Sequence, residues 1–155
     1  MTYEEILIQT ENGNIIVLEK DLMFDLKGLY IDGHIIIDSK IQTDDEKKCI
    51  YAEELGHHMT SYGNILNTND ISSMKQELAA RSWGFQYVIP LEKLIDAYKY
   101  GVQNTYEAAE YICVPVEYLK NAMERFKQIY GPFVDISEYR LYFVPYIRVE
   151  KLSNL

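Results

Sequence analysis

With 155 residues, 48% of them hydrophobic and 25% charged, the chain has the composition of a globular protein and the length of one compact domain, residues 1–155, with a real core. A formal net charge of −9 argues against a dedicated nucleic-acid binder, whose affinity comes from neutralising phosphates with Lys and Arg. The acidic start Met1-Thr2-Tyr3-Glu4-Glu5, the lack of an apolar run of about 20 residues, and two distant cysteines (Cys49 and Cys113) outside any C-x-x-C point to a soluble, cytoplasmic protein that makes no membrane or direct nucleic-acid contact.

Residues 1–42 read as β-rich with one short helix. Ile15-Ile16-Val17-Leu18 is a strand candidate after the turn signal Asn12-Gly13-Asn14. Gly28–Ile31 and His34–Ile37 flank Asp32-Gly33, the dipeptide favoured in a two-residue type I′ hairpin. His34, beside that turn, reads as a surface histidine on an edge strand. Thr43-Asp44-Asp45-Glu46 is a capping box opening a helix that runs to about Thr60. Ser61-Tyr62-Gly63-Asn64 ends it, and a polar loop follows through Asn69-Asp70. A second helix begins near Ser72 and stops at Pro90, and a third, Leu91–Tyr100, closes at Gly101. Two more are expected over Thr105–Cys113 and Pro115–Tyr130, ended by Gly131-Pro132. The tail Tyr139–Val149 alternates in part, as a strand or an extended arm would. Strands first and helices after make an α+β domain.

The helix opened at Thr43 carries Ala52-Glu53-Glu54-Leu55-Gly56-His57-His58. Zinc peptidases commonly place H-E-x-x-H on a helix, because the first and fifth side chains lie one turn apart and can share an ion, while the second faces the metal-bound water as general base. Here Glu53 takes the first place, Glu54 the second and His57 the fifth. A carboxylate is an acceptable zinc ligand. A second register, Glu54 with His58, competes, but it leaves no adjacent Glu to serve as base. His57 and His58 point about 100° apart, so both reach one ion only if the helix unwinds near Gly56. Tyr51, Leu55 and Met59 fall on the opposite, packing face. A catalytic ion needs a third protein ligand. Glu77 on the next helix is the candidate, and small neighbours Ala79, Ala80 and Gly84 would let an antiparallel helix approach closely. From spacing alone, plain i,i+4 pairs on a polar helix face are the commoner explanation of such a pattern.

Cys49-Ile50-Tyr51-Ala52-Glu53-Glu54-Leu55-Gly56-His57 resembles the A-H-E-L-G-H helix of the ImmA/IrrE family of metallopeptidases, known from prophages, other mobile genetic elements and bacterial stress responses. Glu77-Leu78-Ala79-Ala80-Arg81-Ser82-Trp83-Gly84, running to Pro90, is similar to that family's E-x-x-A-x-x-F-A helix. Ala108–Leu119 is similar to the helical-turn segment that follows. The resemblance implies a zincin-like fold, with a small N-terminal sheet packed on the metal-site helix and a helical C-terminal half. It implies that His57 and Glu77 bind zinc, with Glu53 in the first ligand's place, and that Glu54 activates the water. His58 and Tyr62 are accessory candidates, Tyr62 as an oxyanion donor. The expected activity is cleavage of a helix-turn-helix repressor. A Glu/His/Glu set brings two negative charges to the ion, which tempers its Lewis acidity and suits Mn²⁺ better than a histidine-rich set does. The alternative is therefore a catalytically weak or inactive module that binds a regulatory protein partner. A DNA-reading helix-turn-helix over Thr105–Tyr130 ranks below both, since Glu117 and Glu124 lie among its Lys120, Arg125 and Lys127.

Overall fold

The computed structural model describes residues 1–60 and 70–153. Among them the chain forms six helices and two three-stranded sheets, a mixed α+β architecture. They group into two compact units, Met1–Val88 and Ile89–Leu155.

The first unit opens with α1 (Tyr3–Glu11), whose Thr2 and Glu5 make a reciprocal capping box. Strands β1 (Ile16–Lys20), β2 (Gly28–Ile31) and β3 (His34–Asp38) form one sheet in the order β1-β3-β2. The hairpin expected at Asp32-Gly33 is present, and both turn residues have positive φ, 45° and 78°, as a type I′ turn demands. β3 is the central strand, pairing antiparallel with β2 and parallel with β1. His34 is thus half-buried on a central strand, its Nδ1 3.1 Å from Asp32 O, which corrects the edge-strand expectation. Ile35 and Ile37 alternate inward along β3 and are fully buried. They join Tyr3 and Ile6 of α1 and Ile50, Tyr51 and Leu55 of α2 (Asp44–Thr60) in the core of this unit.

Thr43 Oγ1 accepts from Glu46 N at 3.3 Å to open α2, while the Glu46 carboxylate accepts from Lys27 Nζ at 2.8 Å. α3 (Asp70–Val88) lies antiparallel to α2, because Gly56 faces Ala80 and Gly84 faces Ala52. The close approach expected at Ala80 and Gly84 is therefore present, and Gly56 supplies its other half. Met59, expected on the packing face, is 42% exposed. The segment 61–69, with the expected helix stop and polar loop, lies outside the described residues.

The second unit holds α4 (Leu91–Tyr100), α5 (Thr105–Ile112) and α6 (Val116–Tyr130), then strands β4 (Phe133–Ile136), β5 (Tyr139–Tyr142) and β6 (Arg148–Lys151) in sequential antiparallel order. The C-terminal half is consequently not all helical. The tail is β5 and β6, and β4 was hidden because four residues with an Asp among them carry little periodicity. Leu119, Phe126 and Leu141 are fully buried at its core. Gly101 closes α4 at φ 111°. Cys113 closes α5 in the left-handed region at φ 60° and ψ 57°, where a side chain is strained and glycine is not. Cys113→Gly is expected to stabilise the chain by about 0.5–1 kcal/mol, seen as a higher denaturation midpoint; a lower one would contradict the left-handed cap.

Candidate active site

The site grows from the α2–α3 contact. A Cβ built on Gly56 would lie 2.1 Å from Ala80 O, and one on Gly84 would lie 2.9 Å from Ala52 O. Helices that touch backbone to backbone bring their flanking side chains within reach of each other. His57 and Glu77 meet there, with Nε2 3.4 Å from Oε2. Glu53, one turn before His57, is joined to Glu77 through Arg81, whose Nε donates to Glu53 Oε1 and Glu77 Oε1, each at 3.1 Å. The sequence-predicted Glu53, His57 and Glu77 are thus gathered on one face of the helix pair, with a guanidinium between the two carboxylates.

Glu54 occupies a different environment. It is half-buried against β2, where a Cβ on Gly28 would lie 2.8 Å from its Oε1, so the missing side chain at Gly28 is what makes room for the carboxylate. Burial, then the charges of Glu53 and Glu77, push its pKa up to about 7, opposed by a hydrogen bond from the Tyr30 backbone. A carboxyl poised near neutrality can both take and return a proton.

His58 turns away from this face. Its Nδ1 is 2.6 Å from Tyr30 Oη, which also accepts from Gly33 N at 3.3 Å, and the two rings meet edge to face. Tyr30 thereby ties the end of α2 to the hairpin. The accessory position expected of Tyr62 lies outside the described residues. Cys49, one turn before Glu53, is a core thiol that burial pushes up to about 12, so it stays protonated and unreactive at neutral pH.

Sequence reasoning missed Arg81 and Tyr30. The Glu77-x-x-x-Arg81 spacing was a legible i,i+4 ion pair, but nothing local announced that Arg81 also crosses to Glu53. On α6, Lys120 and Lys127 pair with Glu117 and Glu124 at 2.9 and 3.0 Å.

Among the described residues no three His, Cys, Asp or Glu side chains form a ready-made metal cage. The donors nevertheless suit a divalent ion in kind. An imidazole nitrogen and a carboxylate oxygen already converge, and a second carboxylate is held to the first by a cation. Among the described residues no helix is long and apolar enough to cross a membrane. Comparison of the chain with protein-family models, curated proteins and solved structures finds no match.

Proposed function

We propose that this chain is a metal-dependent endopeptidase of the zincin-like, ImmA/IrrE type, acting in the cytoplasm on a helix-turn-helix repressor. The observation that carries the reading is the glycine-mediated contact of α2 and α3. It sets His57 Nε2 3.4 Å from Glu77 Oε2 with a half-buried Glu54, poised near neutrality, on the same helix. His57, Glu77 and Glu53 would hold the ion, zinc or manganese. Such an ion supplies Lewis acidity, polarising the scissile carbonyl and making water a stronger nucleophile. Glu54 takes a proton as water attacks the carbonyl carbon, and passes it to the amine nitrogen as the C–N bond breaks.

The Arg81 bridge favours a second reading, the non-cleaving module that binds a regulatory protein, since one guanidinium already engages both ligand carboxylates. Metal content separates the two. Element-specific mass spectrometry on protein purified without chelators is expected to find close to one zinc or manganese per chain, lost in His57→Ala, together with chelator-sensitive cleavage of a neighbouring repressor. Wild-type protein that takes up no ion would rule out the peptidase and leave the binding module.

A further inference from the structure

Arg81 is placed where an ion-binding site has least use for a fixed positive charge. Its single Nε–H is shared between Glu53 Oε1 and Glu77 Oε1, both at 3.1 Å. Both carboxylates belong to the ligand set proposed above. The geometry is that of a weak bond. One N–H split between two acceptors lacks the paired contacts of a bidentate guanidinium fork, and the Arg81 side chain is 55% exposed, so solvent and salt screen the pairing. A cation held this loosely can leave by rotating its own side chain into water.

The charges explain why it is there. Glu53 and Glu77 are drawn together by the closeness of α2 and α3, and Glu54 lies on the same turn of helix. Without a counter-charge, the two solvent-facing carboxylates would splay apart and carry Glu77 away from His57. Arg81 supplies that charge from inside the chain, four residues beyond Glu77.

We propose that Arg81 is a displaceable internal cation, which holds Glu53 and Glu77 in place while the site is empty and competes with a divalent ion for the same two carboxylates. This rests on the metal-binding reading above and adds to it an exchange, one guanidinium released to solvent for one ion bound. The exchange balances charge, since two carboxylates then face two positive charges instead of one. It also sets selectivity by concentration. An ion must be abundant or strongly bound to displace the guanidinium, so the site fills at a higher free-metal level than its ligands alone would require.

The test is a calorimetric titration of the chelator-stripped full chain with Mn²⁺ and separately with Zn²⁺, paired with thermal melts. Wild type is compared with Arg81→Ala, Arg81→Gln and Arg81→Lys. Arg81→Ala and Arg81→Gln are expected to bind the ion about tenfold more tightly than wild type, while melting lower without metal and recovering when it is added. Arg81→Lys, which keeps the charge, is expected to stay near wild type. Binding by Arg81→Gln that is equal to wild type or weaker would overturn the role of Arg81 and leave the metal reading standing. If wild type and both neutral variants all fail to bind either ion, the metal reading falls and takes the exchange with it. Arg81→Gln keeps most of the side-chain length, so the comparison survives if Arg81→Ala folds poorly.

Discussion

Gly56→Ala is expected to lower the stability of the first unit by about 3 kcal/mol, although alanine is the better helix former by about 1 kcal/mol. The reason is what the methyl group meets. It would lie 2.1 Å from the carbonyl oxygen of Ala80 and 2.8 Å from its carbonyl carbon. Both are backbone atoms within a helix, so no rotamer change relieves the clash and α2 must move away from α3. Gly84→Ala meets Ala52 O at 2.9 Å and is expected to cost less, since the overlap with the facing backbone is smaller. Trp83, the chain's single tryptophan, sits on α3 stacked against Tyr87 with ring centroids 5.1 Å apart, so its fluorescence reports on this helix pair during denaturation. An unchanged midpoint for Gly56→Ala would contradict the backbone-to-backbone contact. The same substitution should separate His57 from Glu77 and weaken ion binding, which ties the stability of the helix pair to the integrity of the site.

What could be read in advance follows from the range of the interactions involved. The Asp32-Gly33 hairpin, the stops at Pro90 and Gly101, and the start of α2 at Thr43 are each written in two to four adjacent residues, and local chemistry decided them. The α2–α3 approach was legible from Ala80 and Gly84 because small residues at helical spacing have few other uses. The parallel pairing of β1 with β3 was not legible. β2 follows β1 in sequence but is placed on the far side of β3, and the choice is made by burial of Ile35 and Ile37 rather than by any turn signal. Glu53, His57 and Glu77 could be proposed from spacing and resemblance, whereas the Glu53–Arg81 and Tyr30–His58 contacts join residues 28 positions apart. Such contacts exist only after the helices and the hairpin have packed. The separate environment of Glu54 has the same origin, for Gly28 creates it from a different element.

Glu54→Gln is expected to move stability and activity in opposite directions. In the metal-free native chain the Glu54 carboxyl keeps its proton up to about 7, against an ordinary value of 4.5. Between those values the native state binds a proton that the unfolded chain has released, so stability falls as pH rises through that window and the deficit is complete above it. Glutamine carries no ionisable group and avoids the deficit. The variant is therefore expected to be more stable than the parent at pH 8, by on the order of 2 kcal/mol, and to converge with it below pH 4. Two of the causes of the raised value are the charges of Glu53 and Glu77. Neutralising them with Mn²⁺ should bring Glu54 back toward its ordinary value and shrink the difference. Denaturation of both proteins at pH 5 and pH 8, with and without Mn²⁺, reads all of this directly. Equal midpoints at pH 8 without metal would mean that Glu54 is charged at no cost and that its surroundings do not favour the neutral form. On the proposed function, the same substitution removes the proton acceptor and should cut cleavage of the repressor by about 10³-fold. A glutamate kept for packing or for a surface ion pair would lose stability when replaced. One whose replacement stabilises the fold and stops the chemistry is held at a stability cost for what its proton can do.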